Sequence, residues 1–110
     1  MNWTDEVLGF WFGLADEQWW KRDEAFDAAT RDRFEDLYQE QRQFPAESFL
    51  TDPRTALAAV VLFDQVPRNM YRGHADQFAT DLLALAIAKG ALAREFDQQL
   101  TPRERSMLYM

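Results

Sequence analysis

Cysteine is absent from the 110-residue chain, which removes disulfides, thiolate nucleophiles and thiolate metal sites together. Histidine occurs once, as His74, so a metal site or a charge-relay system built on imidazoles has almost no material. Basic residues are few: 12 Lys and Arg stand against 19 Asp and Glu, a formal net charge of −7. A partner held mainly through its phosphates needs clustered cations, so nucleic acid is not expected. No apolar run reaches the ~20 residues that a membrane span requires. The start, Met1-Asn2-Trp3-Thr4-Asp5-Glu6, lacks the basic region of a signal peptide. The expected location is therefore the cytoplasm, and neither a membrane nor a cofactor is anticipated. No segment is low-complexity, and comparison of the helices shows no sequence repeat.

Aromatic residues, by contrast, make up 15% of the chain and hydrophobic residues 47%. A chain of this length suits one domain that buries about two-thirds of its unfolded surface. The spacing of apolar residues is helical throughout, so the expected class is all-α. Thr4 reads as the first N-cap, with Asp5 and Glu6 in the first turn, and Gly13 stops that helix after Phe12. A longer helix is expected from about Asp23 to Gln41, burying Phe26, Ala29, Phe34, Leu37 and Tyr38. Its charges, Asp27 with Arg31 and Asp32 with Glu35, read as a solvated face. After Pro45 a short turn carries Phe49 and Leu50.

Asp52-Pro53 opens a central helix whose stretch Ala56 to Phe63 is apolar nearly all round, which predicts neighbours on several sides. Pro67 is expected to end or turn that helix, and Gly73 to mark a loop. A further helix is predicted from Thr80 to about Phe96, with Leu82 and Leu85 on one apolar side and Leu83 and Ile87 on another. Such a helix would be sandwiched. Gly90, though unfavourable in a helix by ~1 kcal/mol, lies among small residues that allow close approach. Thr101-Pro102-Arg103-Glu104 reads as a capping box for a last helix.

The most informative stretch is Asp64-Gln65-Val66-Pro67-Arg68-Asn69-Met70-Tyr71-Arg72-Gly73, directly behind the most apolar run. Asp64, Gln65, Arg68, Asn69 and Arg72 near a core need partners for their polar groups. They form either a structural network around a proline-marked break or a polar-ligand site with arginine as a clamp. Trp11, Trp19 and Trp20 supply either helix-junction packing or an aromatic contact surface. His74 reads as an exposed loop histidine, and no metal site is assigned. Ser48 and Ser106 lack the setting of an activated nucleophile.

Taken in order, Val7-Leu8-Gly9-Phe10-Trp11-Phe12-Gly13, Trp19-Trp20-Lys21-Arg22-Asp23, Ala25-Phe26-Asp27 and Asp52-Pro53-Arg54 resemble a known family. Asp64-Gln65-Val66-Pro67-Arg68-Asn69, Tyr71-Arg72-Gly73 and Phe78-Ala79-Thr80-Asp81 continue the resemblance. The family is the bacterial proteins of domain of unknown function 924, and the likeness runs from Val7 to Tyr109. It implies tetratricopeptide-like stacking of antiparallel helix pairs, with no established activity. Family members are typically longer, and a His-Ser-Glu motif usually follows the point where this sequence stops. The stretch Arg42 to Ser48 is also short beside the family. Residues 1–110 are accordingly expected to form a single helical domain, the N-terminal part of a longer family domain.

Two classes of function are consistent with these features. One is a binding or scaffold module whose helices present a groove to a protein, peptide or small molecule. The other is an enzyme or anionic-metabolite-binding protein, with Arg68 holding the anion and Asp64 as base or orienter, and Arg72 beside them. The apolar close Met107-Leu108-Tyr109-Met110 leads to the further expectation of a homodimer or higher oligomer.

Overall fold

A computed structural model describes residues 2–14 and 23–109, which are helical with no strand among them. The first helix, α1, is Trp3–Phe12. Asn2, not Thr4, is its cap: the Asn2 side-chain oxygen accepts from the Asp5 backbone N–H at 3.1 Å. The Thr4 hydroxyl lies in the first turn, buried, and donates to that same oxygen.

Helix α2, Glu24–Gln41, starts at its expected cap, where the Asp23 carboxylate accepts from the Phe26 N–H. Its inward stripe is Thr30, Phe34 and Tyr38, spaced by one turn. Ala29 is exposed and Thr30 takes the inner position. Burial of Thr30 is tolerated because its hydroxyl donates to the Phe26 carbonyl at 2.8 Å. The Phe10 ring of α1 stacks on Phe26 and meets Phe34 edge-on, which joins α1 to α2.

A 3₁₀ turn at Ala46–Phe49 leads to α3, Pro53–Val60. The Asp52 carboxylate accepts from both the backbone N–H and the hydroxyl of Thr55. The backbone hydrogen bond from Thr55 is the largest cause that holds the Asp52 carboxyl below its ordinary range. Every residue from Ala56 to Phe63 is buried, as an all-round apolar pattern requires. Helix α1 and two later helices, α5 (Asp81–Ala93) and α6 (Pro102–Leu108), pack against α3, so the core forms around it.

Pro67 does not end this helix. The chain passes from α3 into a π-helical segment, Val61–Gln65, and then into α4, Val66–Met70. In the widened turn the Val66 N–H reaches back to the Val61 carbonyl, one residue farther than an α-helical bond. Pro67 has no N–H to offer the Phe63 carbonyl, and the Thr80 hydroxyl donates to that oxygen at 2.7 Å. Thr80 in turn lies 3.1 Å from the Tyr38 hydroxyl. Because the single Thr80 proton is directed at Phe63, Tyr38 is the donor in that pair. The residues that admit proline into the helix thus come from α2 and from the start of α5.

Gly73 takes the left-handed conformation, φ 80°, in the loop before a 3₁₀ turn at Ala75–Phe78. Helix α5, Asp81–Ala93, follows. It stops short of Phe96 because Glu95 adopts φ 59° and reverses the chain. Only one side of α5 is covered: Ala84, Ile87, Ala88 and Ala91 are buried, whereas Leu82 is 82% and Leu85 45% exposed. The expected sandwich is not formed among the described residues. At Gly90 a Cβ would sit 2.4 Å from Leu50 Cδ1, so the missing side chain allows the 3₁₀ turn and α5 to approach. Helix α6, Pro102–Leu108, opens with the capping box between Thr101 and Glu104. No helix among the described residues is long and apolar enough to cross a membrane.

Candidate binding cleft

The π-helical segment, α4 and the turn after it carry the polar cluster to the wall of a cleft of about 480 Å³. Asp64, Gln65, Arg68, Asn69 and Arg72 all line it, with Asp81 from α5. The floor is apolar, formed by Trp11, Val60, Ala84, Ala88 and Met107, with Leu85 at the exposed side. Five helices, α1, α3, α4, α5 and α6, and the π-helical segment therefore converge here. The widened turn matters locally because an extra residue per turn shifts which side chains follow the buried face. Val61, Leu62 and Phe63 remain in the core, while Asp64 is only half-buried.

The two arginines are already held. Arg68 contacts the Asp64 carboxylate at 3.2 Å and donates to its backbone carbonyl. Its other bonds run to both Asp81 oxygens, at 3.1 and 3.3 Å, and its guanidinium lies over the exposed Phe78 ring. Arg72 forks onto Asp27 of α2, at 2.6 and 3.3 Å, and donates to the Asn69 side-chain oxygen at 2.9 Å. Asp27 is thus not on a solvated face; its side chain is 13% exposed. Arg31 pairs instead with Glu35. Composition and spacing gave no signal for Asp27 or Asp81 as members of the cluster, because each joins it only through tertiary packing.

Burial pushes the Asp64 carboxyl above its ordinary value, against the pull of the Arg68 guanidinium, and the nearby Asp81 charge adds to the rise. Gln65 Nε2 donates to the other Asp64 oxygen at 2.5 Å. Asp64 is therefore a half-buried carboxylate with its surroundings pulling in opposite directions.

The family model of a bacterial protein of unknown function, domain of unknown function 924, matches residues 7–110. The chain belongs to this family. A solved structure from the same fold, a protein of unknown function from Agrobacterium tumefaciens, has a TM-score of 0.85 and 33% sequence identity. The match covers 96% of this chain and 60% of that one, so the chain spans less than two-thirds of its relative's length. Among curated proteins nothing matches. Domain of unknown function 924 carries no established activity, which leaves the geometry to speak for function.

The other candidate residues separate from the cleft. Trp11 is a buried floor residue at 1% exposure; Trp19 and Trp20 lie outside the described residues. His74 is exposed and caps the 3₁₀ turn by accepting from the Asp76 N–H. Ser48 and Ser106 donate to the carbonyls of Pro45 and Arg103, each three residues earlier. Among the described residues no cluster of three or more His, Asp or Glu side chains is placed to hold a metal ion.

Proposed function

We propose that this domain of unknown function 924 protein is a binding module whose ligand occupies the cleft between the π-helical segment and α5. The observation that carries this reading is the convergence of buried amides and half-buried charges over an apolar floor, in a space suited to a small molecule or one peptide side chain. A π-helical turn within an α-helix is frequent at functional sites, and here it delivers Asp64 and Gln65. The helical-repeat arrangement that the family resemblance implies is one that presents grooves to ligands.

The experiment is a fragment screen read by ¹H–¹⁵N spectra of the chain. Binding should shift the side-chain amides of Gln65 and Asn69, and Leu85→Trp should block it at the cleft mouth. Hits that leave both amides unmoved, or that survive Leu85→Trp, would defeat the reading.

A second reading concerns assembly. Phe78 (55% exposed), Leu82 and Leu85 follow one another from the 3₁₀ turn into α5 as exposed large apolar side chains. We propose that a second copy of the chain covers them, since exposed large apolar side chains favour association. Light scattering on a sizing column should give a dimer or larger mass that Leu82→Glu returns to monomer. A wild-type monomer across the concentration range would remove the proposal.

A further inference from the structure

The cleft's charge balance and its open hydrogen-bonding groups narrow the ligand. The charged residues of the lining are Asp64, Arg68, Arg72 and Asp81, and Asp27, which is outside the lining, pairs with Arg72. With Asp27 counted, three carboxylates meet two guanidinium groups and the cluster carries a formal charge of −1. Both Asp81 oxygens are taken by Arg68, and both Asp27 oxygens by Arg72. Asp64 holds the remaining charge. Each of its oxygens accepts one side-chain contact, from Arg68 and from Gln65, and a carboxylate can accept about four. A second group points to a ligand independently. Asn69 is 7% exposed and gives its oxygen to Arg72, which fixes the amide's direction and leaves its NH₂ as a donor in the cleft wall. No hydrogen bond from that NH₂ is formed among the described residues.

We propose that the cleft takes an organic monocation that joins an ammonium group to a carbonyl acceptor on an apolar body, such as an amino-acid amide or the N-terminal residue of a peptide. The ammonium meets Asp64, the carbonyl oxygen accepts from Asn69, and the apolar body rests on Val60, Ala84 and Ala88. An anion would have to face Asp64 and Asp81 and displace a carboxylate from Arg68 before it could be held. Burial keeps Asp64 reluctant to ionise alone, and an arriving cation offsets that cost. This inference rests on the binding-module reading of the same cleft.

The test uses three probes of nearly one shape: phenylalaninamide, N-acetylphenylalaninamide and N-acetylphenylalanine, which at pH 6.5 are mainly cationic, neutral and anionic. Titrations followed by ¹H–¹⁵N spectra should show the cation binding about tenfold or more tightly than the other two, a step expected for one charge-assisted contact. Asp64→Asn, close to isosteric, should erase the preference, and Asn69→Leu should weaken the cation several-fold. Equal or tighter binding of the neutral or anionic probe within the cleft would overturn the charge inference and leave the binding reading intact. A preference that survives Asp64→Asn would overturn it too. If none of the three binds and the fragment screen also leaves Gln65 and Asn69 unmoved, the binding reading falls and takes this inference with it.

Discussion

Thr80→Val should be among the more damaging isosteric changes in this chain, although it alters one atom position and no charge. The Thr80 hydroxyl donates to the Phe63 carbonyl at 2.7 Å and accepts from Tyr38 at 3.1 Å, with Thr80 4% and Tyr38 0% exposed. Valine keeps the shape and removes both bonds. Pro67 cannot supply the Phe63 carbonyl with an N–H, and the Tyr38 hydroxyl loses its acceptor. An unsatisfied buried polar group costs about 1–3 kcal/mol, so the pair gives roughly 2–6 kcal/mol, a large part of the ~5–15 kcal/mol typical of a whole domain. Urea unfolding of wild type, Thr80→Val, Tyr38→Phe and the double variant resolves the parts. Tyr38→Phe should cost about 1 kcal/mol, near the net worth of one hydrogen bond. The double variant should cost less than the sum of the singles, because removing the Tyr38 hydroxyl takes away one of the groups that valine strands. A Thr80→Val midpoint within ~0.5 kcal/mol of wild type, the range of a neutral surface change, would refute the account of how the helix accommodates Pro67.

Three further outcomes are expected. Arg72→Met should destabilise by about 1–3 kcal/mol, because the 13%-exposed Asp27 loses its fork; thermal unfolding checks this, and Asp27→Asn should restore part of the loss. Asp64, whose carboxyl is raised by burial, favours its protonated form when folded; its contribution is present below the ordinary value of 3.8 and fades as pH rises through the folded value. Asp64→Asn should therefore remove a fall in stability over that window, seen by comparing urea midpoints at a series of pH values. Asp52 behaves in the opposite sense: its lowered carboxyl stabilises above 3.8 and loses that effect as pH drops through the folded value. Asp52→Ala should cost about 1 kcal/mol at neutral pH, and its difference from wild type should shrink in acid.

Much of the helical plan is local and can be read from residues close together in the chain. Asp23, Asp52-Pro53 and Thr101 with Glu104 start helices as expected, because a cap needs only a side-chain oxygen three residues from an amide. The unbroken apolar run from Ala56 to Phe63 is enough to place that helix at the centre. Asn2 displaces Thr4 as a cap because either residue type can accept, and only the backbone's path decides which oxygen faces the amide. The polar cluster from Asp64 to Arg72 is also legible, since chemistry so dense behind a core must find partners.

Which partners it finds is a different matter. Asp27 lies 45 residues from Arg72 and Asp81 lies 13 from Arg68, and both look like ordinary helix-surface carboxylates until α2 and α5 are packed beside α4. Pro67 in isolation predicts a break. It sits inside a continuous helix because Thr80 meets the Phe63 carbonyl and the turn widens between Val61 and Gln65. Periodicity likewise marks Leu82 and Leu85 as inward-facing, yet an apolar stripe shows only that burial would be favourable, not that a neighbour stands opposite. The sequence by itself determined the all-α class, most helix starts and the polar segment, because these follow from interactions within a few residues. Tertiary structure alone decided the charge pairing, the passage through proline and the cleft, because each depends on atoms brought together from distant parts of the chain.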